Sequence, residues 1–300
     1  MMTVRLYKYS DSLAPVHPSS TQGSLAALLR ACLVSGYGTK EAAGWEELFT
    51  ATPAEAVFRP TVGLERQCYR VGDPSAAANV AVINGYESMQ DLTTGSGGWG
   101  GVNFGKQYSA GASQQWYVVA DERTCWVFLQ TNGGDFVAHG FGAFDSLVAD
   151  NPWASFLSGH TLSTNLPTAT TGTSLAISVD LGSATAQAIL IHRPVMSVIP
   201  PGTGLGALGC ASGVDGHGTF GKGPSGVAPT ADWYLQPVFL SEYSSNTYYR
   251  HVAGVMRGLY YPLTFRPVSN GQTVTINGRD YLAINTVRGG QFLVDITGWS

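Results

Sequence analysis

Charge is what this sequence has least of. Asp, Glu, Lys and Arg make up 12% of its 300 residues, about half the share usual in globular chains. A fully solvated surface normally carries more, so the composition suits a surface that other subunits cover. Sixteen basic residues stand against 20 acidic ones, for a net charge of −4, and no basic stripe occurs. Direct nucleic-acid binding through phosphate contacts is therefore not expected. Long apolar runs are missing too: the longest, such as Ala186–Ile191, fall far short of the ~20 residues a membrane span needs. The opening Met1-Met2-Thr3-Val4-Arg5-Leu6 lacks an apolar signal core, so synthesis in the cytoplasm without export is the expectation. The four cysteines, Cys32, Cys68, Cys125 and Cys210, form no Cys-x-x-Cys pair. Their wide spacing argues against a disulfide framework, and Cys32 and Cys125 read as buried thiols.

What is abundant points to strands and turns. Thirty-eight glycines and 15 prolines accompany 44% hydrophobic residues, enough for real cores. The chain reads as mainly β, a β-rich α+β fold of two β-sheet units with one short N-terminal amphipathic helix and a Gly-rich irregular excursion. Leu25, Leu28, Leu29, Cys32 and Leu33 recur at helical spacing as one apolar stripe. Thr21 or Ser24 is placed to cap its start and Gly36 to stop it. From Gly44 onward, apolar and aromatic runs separated by Thr-Pro, Arg-Pro and Gly-Asp-Pro turns read as strands. Asp91–Gly105 reads as a glycine-rich loop carrying Trp99 and Phe104. Residues 1–160 are expected to form the helix and a first β domain, 161–229 a Ser/Thr/Gly-rich linker and loop excursion, and 230–300 a C-terminal hairpin and meander. In that meander, Asn277-Gly278 between alternating residues is the strongest hairpin signal.

One aromatic pattern occurs twice, loosely. Trp116–Val119, a polar turn at Asp121-Glu122-Arg123-Thr124, Cys125–Leu129 and Gly140–Leu147 are echoed by Trp233–Leu240, a polar turn, Tyr248–Val252 and Met256–Leu263. Duplication and chance both remain open. Each unit is expected to bury one face and show the other to solvent or a partner. Asp121–Thr124 reads as a hairpin tip whose adjacent carboxylates favour solvent.

Catalytic and cofactor motifs are weak. Gly204-x-Gly206-x-x-Gly209 spells a dinucleotide fingerprint but follows Pro200-Pro201 rather than a buried strand. Asp215-Gly216-His217 offers one carboxylate and one imidazole, and no local spacing recruits His192 or His251 to complete a metal site. No Gly-x-Ser-x-Gly elbow occurs. Glu87 with Asp91, or Asp121 with Glu122, supplies the residue types of a glycosidase pair without fixing their separation. The expectation is a protein that is not an enzyme, with no catalytic residue, cofactor or metal. Aromatics are the better functional signal: Trp99, Phe104, Trp233, Tyr248, Tyr249, Tyr260 and Tyr261 are the candidate interface residues. Neighbouring tyrosines on a strand point to opposite faces, so each pair sends one ring inward and one outward.

Several blocks, in order, resemble a family of tailed-bacteriophage virion structural proteins. They are Tyr7 through Pro15, Gly23–Gly38 with Ala42-Ala43-Gly44-Trp45, Tyr69–Val71, Gly85–Met89, Asp91–Gly95, Trp116–Thr124, Phe141–Leu147, Met256–Leu263, Tyr281–Ile284 and Thr297-Gly298-Trp299. The resemblance spans nearly the whole chain apart from Pro200–Pro229. It implies a non-enzymatic component of the particle, located in the virion, with other virion proteins and copies of itself as partners; its place in the particle is open on the resemblance alone, and tail or baseplate association is the expectation. Head decoration or neck placement, and a peripheral protein binding a host surface receptor or glycan, are the alternatives. An enzyme acting on surface polysaccharide is the more distant one.

Overall fold

Strands too apolar to leave either face in water must be covered on both sides, and that need organises this chain. Trp116–Ala120 and Thr124–Leu129 are buried at every position. The computed structural model describes residues 3–18, 21–51, 53–73, 80–106, 115–130, 136–147, 149–159, 188–192, 205–208, 233–244, 247–262, 268–285 and 291–299. Among them the fold is mainly β, with three antiparallel sheets and one short helix.

The central sheet has the order β1 (Arg5–Lys8), β7 (Trp116–Ala120), β8 (Thr124–Gln130), β9 (Phe136–Ala143), β11 (Ser155–Gly159), β12 (Ala188–Ile191). A five-stranded meander runs β2 (Trp45–Ala51), β3 (Glu55–Pro60), β4 (Cys68–Gly72), β5 (Val80–Met89), β6 (Gly95–Gly105). The C-terminal sheet runs β13 (Leu205–Leu208), β14 (Leu235–Ser244), β15 (Thr247–Pro262), β18 (Gln291–Asp295), β17 (Arg279–Asn285), β16 (Thr273–Ile276), and the two-residue β10 (Asp145–Ser146) also pairs with β15.

Side chains of the central strands alternate between two cores. Trp116, Val118, Cys125, Val127 and Leu129 pack with the helix and the five-stranded sheet. Tyr117, Val119, Trp126, Phe128 and Phe136 pack with the C-terminal sheet. The expectation of one buried and one open face per hairpin is thus corrected: both faces of β7 and β8 are covered. The two β units expected from sequence become three layers, because residues before 160 supply two sheets.

Helix α1 (Ser24–Arg30) continues as a π-helical stretch, Ala31–Ser35. It buries Leu25, Leu28, Leu29, Cys32 and Leu33, and Gly36 at φ 72° ends it, as its spacing implied. Its start differs. Gly23 occupies the cap position and makes no side-chain cap bond; instead Asp73, 48 residues away, accepts the Leu25 N–H at 3.0 Å. Cys32, Cys68 and Cys125 are free and buried, while Cys210 lies outside the described residues. No helix among the described residues is long and apolar enough to cross a membrane.

Two elements correct the sequence reading. Asp91–Gly105, expected as a loop, contains the eleven-residue strand β6. Its glycines, and the one glycine of β5, make room for large cross-strand neighbours: Trp99 covers Gly85, where a Cβ would sit 2.3 Å from the ring, and Tyr86 covers Gly95 and Gly98. The aromatic near-repeat also diverges. Its first occurrence makes three strands, β7 to β9; in the second, residues 256–262 belong to β15 itself. Asn277 (φ 49°) and Gly278 (φ 75°) join β16 to β17, the left-handed pair a two-residue hairpin requires. Of the Pro200–Pro229 excursion, residues 205–208 form β13 against β14; the rest lies outside the described residues.

Candidate functional site

The pairing of β15 with β14 is interrupted by a large bulge. Pro237 pairs with Tyr260 and the next pair is Phe239 with Val255. One residue of β14, Val238, is therefore set against Met256, Arg257, Gly258 and Leu259. Bulges re-aim side chains, and this one drives Arg257 inward, where its side chain is wholly buried. Gly258 holds the turn at φ 68° and lies directly against the Trp299 indole.

Arg257 meets two carboxylates there. Nη1 donates to Asp145 Oδ1 at 2.6 Å and Nη2 to Asp121 Oδ2 at 2.7 Å. Its backbone carbonyl accepts from Trp126 Nε1 at 2.9 Å. Asp121 is fully used: Oδ1 accepts the N–H groups of Arg123 (2.8 Å) and Thr124 (2.7 Å), and its carbonyl accepts from Trp45 Nε1 at 2.7 Å. Burial alone would lower the guanidinium pKa, but Asp121 and Asp145 outweigh it and the pKa is raised. The expectation that both carboxylates of the hairpin tip favour solvent is corrected for Asp121, which is 0% exposed. The tip does not project; Trp45 and the bulge enclose it. Its neighbour Glu122 stays partly exposed near Arg5, and Arg123 pairs with Glu65.

Two cavities flank this network, and Asp145, 39% exposed, lies on the wall of both. One, of about 360 Å³, is lined by Leu64, Glu65, Arg123 and Asp150. The other, of about 310 Å³, lies among Pro237, Met256, Tyr260, Arg279 and Trp299. Blocks far apart in sequence thus converge: Asp121–Thr124, Phe141–Leu147, Met256–Pro262 and Thr297–Trp299. No family model and no curated protein matches the chain.

The candidate interface aromatics are dispersed. Phe104 is wholly buried and stacks on His139 with ring centroids 4.3 Å apart. Tyr261 is buried against Phe292. Tyr260 is half-buried, edge-on to Tyr281, and faces the second cavity. Trp233 is partly buried beside the outer core of the C-terminal sheet. Tyr248 and Tyr249 lie in β15, with side chains outside the described set. Trp99 is half-buried beside His192, 5.4 Å between centroids. His192 Nε2 donates to Glu87 Oε1 at 3.1 Å; burial lowers its pKa against the opposing pull of Glu87.

Arg257 and Asp145 carry no distinctive sequence signal as site residues, since an Arg-Gly within an aromatic run is also how an exposed strand reads. Among the described residues no group of three or more His, Cys, Asp or Glu is placed to hold a metal. Asp215–His217, Gly204 and Gly209 lie outside the described residues. Asp91, a carboxylate of one candidate glycosidase pair, accepts the Thr93 and Thr94 N–H groups at 2.7 Å each, which holds its pKa down to about 2.

The bulge makes a sharp prediction. A methyl at Gly258 would sit 2.0 Å from Trp299 Nε1 on a left-handed backbone. Gly258→Ala is expected to destabilise the chain by ~2–4 kcal/mol, combining backbone strain with overpacking. Gly278→Ala is the control, because that glycine has a similar φ of 75° and an added methyl there would meet nothing within 4 Å. It should cost only ~1–2 kcal/mol. Urea unfolding compares the two, and equal losses would remove Trp299 from the account.

Proposed function

We propose that the chain is a non-enzymatic structural subunit of a tailed-bacteriophage particle, associated with the tail or baseplate. One observation carries the reading: the disposition of charge and apolar surface. Ionic groups are drawn inside: Arg257 with Asp121 joins the C-terminal sheet to the central one, and Lys106 with Asp73 holds the five-stranded sheet to the start of the helix. Meanwhile Leu13 (79% exposed), Val16 (82%), Leu64 (61%) and Leu147 (65%) stand in water. On a chain with so little charge, that pattern suits a surface covered on assembly.

The family resemblance of the sequence blocks supports the same reading, and four of those blocks contribute residues that meet around Arg257. A slab of three packed sheets is stiff, and its edge strands β2 and β16 offer backbone groups for strand addition by a neighbour. Repeated copies related by symmetry are the natural way to use such a subunit.

Separation of heads from tails in purified particles, followed by mass spectrometry, tests the proposal. Enrichment in tails is the expected result. Enrichment in heads moves the subunit to decoration or neck, and absence from both overturns the particle assignment.

A further inference from the structure

We infer that the paired cavities around Asp145 are a docking groove for a cationic side chain, lysine or arginine, carried by a basic segment of a neighbouring virion protein. The inference deepens the structural-subunit reading and rests on it for the identity of the partner.

Charge balance is the first argument. Around the smaller cavity, Asp121, Asp145 and Asp295 stand against Arg257 and Arg279, which leaves one negative charge in excess. In the larger cavity, Glu65 is matched by Arg123, and Asp150 adds a further carboxylate. Both guanidinium groups that reach the cavities are already engaged, Arg279 with Asp295 and Arg123 with Glu65. Asp145 gives Oδ1 to Arg257 and remains 39% exposed between the two cavities. A carboxylate half withdrawn from water beside excess negative charge favours a cation, since the attraction is screened less there than at an open surface.

Shape is the second. Pro237, Val255 and Met256 form an apolar wall of the smaller cavity, suited to the methylene stem of a long basic side chain. Tyr260 adds an aromatic ring on the same cavity, and such rings attract ammonium and guanidinium groups. Leu64, on the larger cavity's wall, and Leu147, next to its Ser146, are exposed, giving a partner segment apolar contacts around the charged anchor.

The test is a titration of the full-length ¹⁵N-labelled chain, followed through the Trp299 indole N–H, which is fixed to the Asp295 carbonyl at 2.8 Å beside the smaller cavity. N-acetyl-arginine amide and N-acetyl-lysine amide are the probes; N-acetyl-norleucine amide, methyl glucoside and magnesium chloride are the comparisons. Saturable shifts are expected with the two cationic amides only, weakened at least fivefold by Asp145→Asn. Tyr260→Leu keeps the carboxylates and should weaken binding about threefold or more; it decides the matter if Asp145→Asn does not fold. Equal responses to norleucine amide, glucoside or magnesium, or an affinity unchanged in the variant that folds, would overturn the groove. Particle fractionation is independent of this titration. A chain found in tails that ignores both cationic amides overturns the groove alone, and a chain absent from particles that binds them keeps the groove and loses the partner's identity.

Discussion

Arg257→Met is expected to destabilise the folded chain by about 3–5 kcal/mol, a large part of the ~5–15 kcal/mol that holds a typical domain together. The loss does not measure the strength of an ion pair. Asp121 is 0% exposed, and once the guanidinium is gone its Oδ2 keeps a negative charge inside the protein with no cation beside it. Removing one member of a buried pair costs more than the pair itself contributes. Asp121→Asn in the same background should therefore recover most of the loss, because a neutral amide carries no charge and its Oδ1 can still accept the Arg123 and Thr124 N–H groups. Arg257→Lys should fall between, since a single ammonium cannot copy the two-pronged reach to Asp121 and Asp145. Urea unfolding of the native chain and these three variants checks this. If Asp121→Asn fails to rescue Arg257→Met, the cost lies in the bulge's packing and not in the stranded charge.

The contrast between Leu25 and Arg257 shows what the sequence makes legible. The stripe from Leu25 to Leu33 obeys a local period, so the helix and its buried face can be read directly, and so can the Asn277-Gly278 hairpin. Phe128 and Trp126 are visible as strand residues. That both faces of their strand are covered depends on the helix and the five-stranded sheet on one side and, on the other, on C-terminal strands more than a hundred positions away. Strand β6 escapes because its glycines read as turn formers, whereas here Gly95 and Gly98 accommodate the Tyr86 ring. The candidate site is least legible of all. Asp121, Asp145 and Arg257 come from three separate elements, and a 136-residue separation joins Asp121 to its guanidinium. No spacing rule reaches that far.

A second buried pair should behave like the first but in a different layer. Lys106 and Asp73 are paired with both side chains 0% exposed, and Lys106 Nζ also donates to the Thr21 carbonyl at 3.2 Å. Asp73 in turn accepts the first free N–H group of helix α1, that of Leu25. Lys106→Met is expected to cost about 3–5 kcal/mol by leaving Asp73 charged and buried, and Asp73→Asn should relieve it while keeping an acceptor for Leu25. The pair belongs with the helix and the five-stranded sheet, on the opposite side of the central sheet from Arg257, and the two networks share no partner. Their costs should then add to within ~0.5 kcal/mol in the double variant. Amide hydrogen exchange separates them further: Lys106→Met should expose the helix amides from Leu25 onward first, and Arg257→Met those of β15 and β18. Loss of protection spread equally over all three sheets in both variants would mean that the layers open together, and that neither pair is confined to the junction it bridges.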